Sequence, residues 1–374
     1  MVKQALNLFL RIVVALYVLA KRHPIERIAD NHELRVSPKS ILVFSNTALG
    51  DTILSTPAIA SLRQSFPSAI ITFFVHQNIA PLFTDFEYVD AIVPYQGGFK
   101  RFWRTVGHLH GSRPDIALLL HSNAPQDIPM AVLSGANIIL KPPTKSEYRK
   151  YLSFEFSPKR QHTIEERLDL IRKIGASTIT TRMALPARYH SQTPGPLKSQ
   201  PDWADSTIIG FQVGAANTFK MWPDESFSAL ADRLSESVGK MRVVITGSQK
   251  ERKLGDQIVN RCSMKNIHNF CGEFTIAELP YLVRDFDLLV SNDTGTMHLA
   301  IALGIPTVCL FGATSSQAIG PYQDLDKHVV IQKHSDNPLS RPKKKRDNSA
   351  MRQITVAEVQ QAVSAILSHR SSST

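Results

Sequence analysis

The sequence has few cysteines and no cysteine motif of a metal or redox site. Cys262, Cys271 and Cys309 are its three cysteines in 374 residues, and no two of them form a C-x-x-C pair. A disulfide-stabilised scaffold or a zinc ribbon therefore does not fit this chain. The scarcity of cysteine is typical of a protein in the reducing cytosol.

The sequence also lacks the two common fingerprints of phosphate-binding loops. Neither G-x-G-x-x-G nor G-x-x-x-x-G-K-[ST] occurs in it, so a Rossmann dehydrogenase or a P-loop NTPase is unsupported. Zinc-knuckle spacing, an RRM-like aromatic motif and a basic recognition helix are absent as well, and we therefore predict no nucleic-acid partner.

Acidic residues are in the minority. The chain has 43 Lys and Arg against 32 Asp and Glu, a net charge of +11, which favours an anionic partner such as a phosphorylated substrate or an anionic membrane surface. Hydrophobic residues make up 43% and charged residues 20%, as in globular proteins, and the length allows two domains.

No uncharged apolar run reaches the roughly 20 residues that span a bilayer. The most apolar stretch, residues 5–20, is interrupted by Asn7 and Arg11. If this stretch is a helix, we predict that it lies in the membrane interface, with its basic residues near anionic headgroups. Those basic residues are Lys3, Arg11, Lys21 and Arg22. Two alternatives stay open: a helix packed on the protein body, and a signal peptide whose end resembles a cleavage site.

One stretch predicts a strand, a tight loop, a helix, a turn and a second strand in succession. It is residues 287–312, DLLVSNDTGTMHLAIALGIPTVCLFG. A helix that begins at the carboxyl end of a parallel strand directs free backbone N–H groups at a ligand there. Gly295 lets a phosphate approach the backbone, and Thr294, Thr296 and His298 add side-chain donors. We interpret this as a diphosphate site. An ordinary strand–helix turn with an Asp or Thr cap is the alternative.

Residues 41–75 predict a strand–helix–strand unit, with strands at 41–44 and 70–75 and a helix over 52–65. Asp51 stands at the start of that helix, where ligands bind in open α/β sheets. A carboxylate there can take the proton of an attacking hydroxyl. Spacing alone favours the simpler alternative, that Asp51 caps the helix.

Polar side chains follow the next predicted strand, 116–120. His121 and Asn123 could face the same crevice and bind an acceptor, or they could be solvated loop residues. Arg63, in the helix after Asp51, is a third candidate for acceptor binding. The run of Arg and His over 101–113 would suit an anionic acceptor, although such runs are more often solvated surfaces.

A second α/β pattern begins at Thr207, after the Pro- and Ser-rich stretch 191–206 that predicts a linker. Its first strand is predicted at 208–213, and a helix is predicted to start near 223–225. Lys220 lies in the loop between them, which is a suitable place for a phosphate-binding cation. Glu251 follows the next strand, 242–246, where it could hydrogen-bond a ribose hydroxyl.

The combined pattern resembles the ADP-heptose:lipopolysaccharide heptosyltransferases, glycosyltransferase family 9. Four stretches in a specific order carry the resemblance, which extends from about residue 41 to 369. They are ALGDTILSTPAIASLRQSFP (48–67), KMWPDESFSALADRL (220–234), CGEFTIAELPYLVRDFDLLVSNDTGTMHLAIALGIPTVCLFGAT (271–314) and MRQITVAEVQQAV (351–363).

The resemblance implies a GT-B fold, an α/β architecture of two Rossmann-like domains facing each other across a cleft. The expected organisation then has five parts. They are an N-terminal extension (1–40), an acceptor domain (41–190), a linker (191–206), a donor domain (207–350) and a C-terminal helix (351–374) that packs back on the first domain.

The resemblance also implies inverting transfer of a heptose from ADP-heptose, an EC 2.4 activity, with Asp51 as general base. Lys220 matches the family's phosphate-binding lysine, and Asp293, Thr294, Gly295 and His298 match its donor-site motif. Negative charge on the departing diphosphate would be stabilised electrostatically. No metal or other cofactor is required, and Asp287 of Asp-Phe-Asp is interpreted as the start of a strand.

Three departures from relatives stand out. About forty residues precede the first strand, and the stretch before the final helix has a basic cluster at 341–346 but no cysteines, which many relatives have there. In the loop at 214–218, Thr218 would substitute for paired threonines. The prediction is a cytoplasmic glycosyltransferase, peripheral to the inner membrane, with a nucleotide-sugar donor and an anionic glycolipid acceptor. Alternatives are a GT-B transferase that uses another nucleotide sugar, and a catalytically silent nucleotide-sugar-binding protein at the membrane.

Overall fold

The computed structural model describes residues 2–20, 25–29, 34, 36–97, 101–191, 193–334 and 347–371. Predictions that concern Lys21, Arg22 and the basic cluster 341–346 lie outside these residues. Two compact units divide the chain, Met1–Pro186 and Ala187–Thr374. Each unit is built around its own parallel sheet.

The first unit has a five-stranded parallel sheet in the order β3-β2-β1-β4-β5. Its strands are β1 (Ser40–Ser45), β2 (Ile70–His76), β3 (Ala91–Tyr95), β4 (Ile116–His121) and β5 (Ile138–Leu140). Its helices are α1 (Val2–Ala20), α2 (Leu49–Ile53), α3 (Thr56–Ser65), α4 (Phe102–Gly111), α5 (Asp127–Leu133) and α6 (Thr163–Arg172). The strand order reverses between β1 and β4, and such a reversal opens a crevice at the carboxyl ends of the two strands.

The second unit has a six-stranded parallel sheet in the order β11-β10-β9-β6-β7-β8. Its strands are β6 (Thr207–Gln212), β7 (Met241–Thr246), β8 (Ile267–Asn269), β9 (Leu288–Asn292), β10 (Thr307–Phe311) and β11 (His328–Gln332). Its helices are α7 (Pro201–Ala204), α8 (Asp224–Ser237), α9 (Arg252–Arg261), α10 (Leu279–Val283), α11 (Gly295–Ala302), α12 (Ser316–Ile319), α13 (Ser349–Arg352) and α14 (Val356–Ser371). Here the order reverses between β6 and β9.

The strands predicted from short apolar runs are all present, because parallel strands covered on both faces consist of continuous apolar residues. They are the runs 41–44, 70–75, 116–120, 208–213, 242–246, 288–290 and 307–311. The helix predicted over 52–65 is instead two helices, α2 and α3. Pro57 has no N–H to donate to the carbonyl of Ile53, and the Thr56 hydroxyl donates to that carbonyl at 2.7 Å.

The Pro- and Ser-rich stretch 191–206 belongs to the second unit. The Asp285 carboxylate accepts hydrogen bonds from the backbone N–H groups of Gly195 and Leu197, each at 2.7 Å. Asp287 pairs with the Lys198 ammonium at 3.1 Å. Both carboxylates of the Asp-Phe-Asp sequence therefore hold this stretch against the sheet that Asp287 precedes.

Helix α14 packs into the core of the second unit. Val359 and Val363 are fully buried there with strand residues such as Leu310. The indole N–H of the buried Trp222 donates to the backbone carbonyl of Ile354 at 2.9 Å, just before the helix begins. The contacts with α8, β9, β10 and β11 make this helix an integral layer of the unit.

Helix α1 packs against α5 of the first unit. Leu10 and Val14 are buried in the core that includes Ile128 and Leu133 of α5. Among the described residues, no helix has the length and apolar character that crossing a membrane would require. The structure therefore shows one of the arrangements considered for this stretch, a helix packed on the protein body.

Acid should weaken the second unit through His328. Its Nδ1 lies 2.8 Å from the Thr307 hydroxyl, and burial lowers its pKa to about 4. As pH falls, the unfolded chain takes up this proton near pH 6.5 and the native state only near pH 4. The contribution of neutral His328 to the free energy of unfolding is at most about 3 kcal/mol. It is fully present above pH 6.5 and is lost as the pH falls from 6.5 to 4.

We therefore expect His328→Asn to lose less thermal stability than wild type between pH 7 and pH 4.5. Scanning calorimetry across that range measures the difference in the midpoint temperature. Replacing the exposed His108 with Asn is the matched control for the loss of a histidine side chain. Parallel stability curves for wild type and His328→Asn would contradict this assignment.

Candidate active site

Asp51 and His121 meet at the crevice of the first unit because Asp51 follows β1 and His121 is the last residue of the neighbouring strand β4. Asp51 lies in the first turn of α2, whose N-cap residue is Ala48. Its carboxylate accepts a hydrogen bond from the Thr47 hydroxyl at 3.3 Å and lies 3.4 Å from His121 Nε2. Among the described residues, this carboxylate contacts side chains and not the backbone N–H groups of the helix. It therefore does not cap α2, as the simpler alternative had it.

Arg167 is a functional candidate that sequence reasoning missed. One of its guanidinium nitrogens donates to the backbone carbonyl of Asp51, and Nη2 lies 3.6 Å from Asp51 Oδ1. The side chain is completely buried, and burial lowers its pKa to about 10, against the opposing charges of Asp51 and Glu166. The guanidinium therefore remains charged at neutral pH and supplies a fixed positive charge beside the carboxylate.

A signal for Arg167 is visible in the sequence of α6. Ile164, Leu168 and Ile171 form the buried stripe of that helix, with spacings of three and four residues. Arg167 lies within the same stripe, three residues after Ile164 and four before Ile171. A charge on the buried face needs a partner in the fold, and here that partner is Asp51.

His121 is held as a neutral ring. Burial lowers its pKa to about 4, the positive charges of Arg167 and Lys141 act in the same direction, and only Asp51 opposes them. Its Nδ1 lies 2.5 Å from the Thr47 hydroxyl, while Nε2 faces Asp51. The imidazole is therefore neutral, and its Nε2 faces the Asp51 carboxylate.

A cavity of about 630 Å³ opens beside His121. Lys141 lies on its wall and donates to the Ser122 hydroxyl at 2.7 Å, and burial lowers the pKa of its amine. The exposed Asn123 lines the same cavity, as do Lys145 and Glu166. The lysine ammonium groups and hydroxyls of this concave site suit a polar, anionic ligand.

Arg63 is not brought to this crevice. It lies in the last turn of α3, and its guanidinium donates to the carbonyl of Ala69 at 2.9 Å and pairs with Asp90. Those partners precede β2 and β3, at the amino ends of the strands. The side chain ties the two strand starts together, at the opposite edge of the sheet from Asp51.

Lys220 and Asp293 form the centre of the second unit's crevice, at the carboxyl ends of β6 and β9. Lys220 Nζ lies 2.6 Å from Asp293 Oδ2. The Thr314 hydroxyl, which follows β10, donates to the same oxygen at 2.6 Å. Thr314 was not predicted as a site residue, and only the pairing of β9 with β10 brings it to Asp293.

The first turn of α11 adjoins Asp293. Thr294 is the N-cap residue, its backbone is extended, and its side chain makes no cap hydrogen bond. Gly295 begins the helix, and Thr296 and His298 are buried in its first turn. The orphan N–H groups of such a turn are a general anion site, because the helix dipole favours negative charge there.

Glu251 closes another side of this crevice. Its Oε2 accepts hydrogen bonds from the Ser248 hydroxyl and N–H, which caps the turn after β7. Its Oε1 lies over Gly214, so close that a Cβ there would stand 1.6 Å away. Gly214 therefore permits the position of the carboxylate beside the loop after β6. The exposed Thr218 begins the 3₁₀ turn Thr218–Lys220 in that loop.

Solved structures share this architecture. Heptosyltransferase II of Escherichia coli superposes with a TM-score of 0.71 at 22% identity, covering 89% of this chain and 99% of that one. A family 9 glycosyltransferase of Veillonella parvula superposes with a TM-score of 0.73 at 22% identity, covering 88% and 98%. These likenesses concern the fold, which is GT-B.

Sequence comparison gives the family. The model described as glycosyltransferase family 9 (heptosyltransferase) matches residues 150–348, more than half of the chain. Lipooligosaccharide heptosyltransferase 2 of Campylobacter jejuni is 24% identical over 300 residues, 78% of this chain and 86% of that protein. Lipopolysaccharide heptosyltransferase 3 of Escherichia coli is 22% identical over 282 residues, 71% of this chain and 81% of that protein. The chain therefore belongs to glycosyltransferase family 9 and is a glycosyltransferase with the GT-B fold.

Proposed function

We propose that this enzyme transfers a heptose from ADP-heptose to a lipopolysaccharide core or a similar lipid-linked glycan at the cytoplasmic face of the membrane. Transfer would invert the configuration at the sugar carbon, with Asp51 as general base. The observation that carries the proposal is the setting of Asp51, whose carboxylate contacts Thr47, His121 and the buried cation of Arg167 at the crevice of its unit.

The donor would bind to the second unit. Its diphosphate would lie at the first turn of α11 and draw the Lys220 ammonium away from Asp293, with which it now pairs at 2.6 Å. Glu251 Oε1 would accept a hydrogen bond from a ribose hydroxyl, and Thr218 would donate to a phosphate oxygen. Heptosyltransferases of Escherichia coli have been solved with ADP and with ADP-2-deoxy-2-fluoro heptose, which supports the choice of donor.

The reaction would begin when Asp51 takes the proton of the acceptor hydroxyl, as that oxygen attacks the sugar carbon bonded to the diphosphate. The bond to the diphosphate breaks through an oxocarbenium-like transition state. The negative charge that leaves with ADP is stabilised by Lys220 and the N–H groups of α11. Neutral His121 would keep Asp51 oriented throughout.

The acceptor would bind in the cavity beside His121. Lys141 and Lys145 on its wall suit an anionic group of the acceptor, while Asn123 suits its hydroxyls. This use of the cavity is in keeping with the names of the relatives, which act on lipopolysaccharide or lipooligosaccharide.

Two assays test the proposal. Calorimetry with ADP, UDP and GDP should show a preference for ADP, and incubation with ADP-heptose and a core glycolipid should release ADP and lengthen the glycan. Preference for UDP or GDP would replace the heptose donor with another nucleotide sugar. Binding of ADP without turnover on any acceptor would indicate a silent binding protein.

Arg167 should act as a positioning residue for Asp51. We expect Arg167→Met to lower kcat about 10- to 100-fold, with little change in the KM of the donor, because the carboxylate loses the charge that faces it. The acid limb of the pH–rate profile should move to higher pH for the same reason. Arg167→Lys should restore part of both effects.

A merely structural role of Arg167 would give a different result. The midpoint of thermal unfolding would fall, but the pH–rate profile of the remaining folded enzyme would match wild type. That outcome, or an unchanged kcat in Arg167→Met, would rule out the positioning role.

A further inference from the structure

Helix α1 has two apolar faces, of which the protein body covers one. Leu10 and Val14 are buried against the core of the first unit. On the opposite side, five large apolar side chains are between 51% and 83% exposed. These residues, the outer face of α1, are Leu8, Phe9, Ile12, Leu16 and Leu19. At 100° per residue they fall within about a third of the helix circumference.

The outer face continues onto α4. The rings of Phe9 and Trp103 are in edge contact, with their centroids 6.2 Å apart. Trp103 is itself half exposed, although an indole normally buries much of its large apolar surface. Contiguous exposed apolar patches of this kind mark interaction sites in proteins, and Trp is enriched at the boundary between membrane and water.

In sequence, the two segments that carry this patch are basic. Residues 1–23 contain four Lys and Arg, residues 96–113 contain another four, and neither segment has an Asp or Glu. Arg104 is exposed next to Trp103 on α4. A second copy of the chain would bring the same positive charge against this surface, whereas anionic lipid headgroups would neutralise it.

The same helix is joined to the cavity beside His121. The Arg11 guanidinium of α1 pairs with the carboxylate of Glu147, and Glu147 and Tyr148 line that cavity. The short turn Glu147–Tyr151 packs in addition against α5, the helix on which α1 rests. If α1 were bound to a surface, the rim of the cavity would therefore be kept at a fixed distance from that surface.

We propose that the outer face of α1, extended by Trp103, docks the first unit on an anionic lipid bilayer, with α1 lying flat in the interface. Apolar side chains enter the headgroup region, and the exposed Arg104 beside Trp103 contacts acidic headgroups. Docking in this way presents the cavity rim to a lipid-linked acceptor in the same bilayer. Only this last consequence rests on the proposed function.

Vesicle sedimentation tests the docking face. Wild type should bind vesicles of phosphatidylethanolamine and phosphatidylglycerol, more weakly at high salt, and should bind phosphatidylcholine vesicles less. Ile12→Gln/Leu16→Gln should lower the partition coefficient at least about tenfold, because two half-exposed apolar side chains no longer leave water. The matched control, Ile179→Gln/Leu325→Gln, removes similar exposed side chains elsewhere and should bind as wild type does.

Three outcomes would overturn the proposal: equal vesicle binding by wild type and Ile12→Gln/Leu16→Gln, no binding by wild type, or a lipid-free dimer that this variant abolishes. Transfer from ADP-heptose to a deacylated, water-soluble acceptor is measured separately and should be the same in both proteins. If wild type docks through this face but transfers no heptose, the docking proposal stands and the proposed function fails.

Discussion

Asp51→Asn should lower kcat for sugar transfer by about 10²- to 10⁴-fold, the usual contribution of a general base. The amide keeps the shape of the side chain and can still accept from the Thr47 hydroxyl, now 3.3 Å from the carboxylate. What it loses is the ability to take a proton. Binding of ADP should stay within about twofold of wild type, because the proposed donor site is built from other residues. ADP release from ADP-heptose with acceptor present measures the rate.

A matched control separates this loss from a general effect of removing a carboxylate. Asp205→Asn changes an exposed aspartate whose partner is the exposed Lys240, at 3.6 Å. It should leave kcat unchanged. If Asp51→Asn retained more than about a tenth of the wild-type rate, with its fold intact, the general base would have to be sought elsewhere, beginning with His121.

Lys220→Ala should weaken ADP binding about 10- to 100-fold, the effect of losing one charge-assisted hydrogen bond to a phosphate. It should also lower kcat if, as proposed, the same ammonium stabilises the departing diphosphate. Calorimetry with ADP gives the first effect, and the ADP-release assay gives the second. Lys240→Ala, which removes an exposed lysine, should change neither.

The difficulty with this variant is the carboxylate that it leaves behind. The Asp293 side chain is 5% exposed, so removing Lys220 leaves its charge with only the Thr314 hydroxyl as a described partner. The double variant Lys220→Ala/Asp293→Asn removes that charge as well. It should recover thermal stability but still bind ADP weakly. Recovery of ADP binding in the double variant would show that Lys220 serves only to neutralise Asp293.

Local sequence patterns were sufficient for much of the fold. The buried strands β1, β4, β9 and β10 appear as continuous apolar runs, and the end of α11 is marked by Gly304, whose φ of +76° is accessible to glycine at little cost. His162 precedes the amphipathic run of α6 and caps that helix, its ring accepting from the N–H of Ile164 at 3.2 Å. Each of these signals depends on residues that are neighbours in the chain.

The site was less predictable because its parts come from distant segments. Asp51 and Lys220 could be selected by their positions shortly after two apolar runs. The charged side chains that face them are 116 residues away for Arg167 and 73 residues away for Asp293. Arg63 was selected because it is close to Asp51 in sequence. Helix α3, however, places it at the amino ends of the strands, away from Asp51.

The sequence by itself determined the class of fold, the family and the positions of Asp51, Lys220 and the α11 loop, since these follow from local patterns and from motif order. Only the tertiary structure decided which charges face each other. It buried Arg167 beside Asp51, lowered the pKa of His121, and left one face of α1 apolar and uncovered. The physical reason is that burial and electrostatic environment depend on which segments the folded sheets bring together, and a one-dimensional pattern does not contain that information.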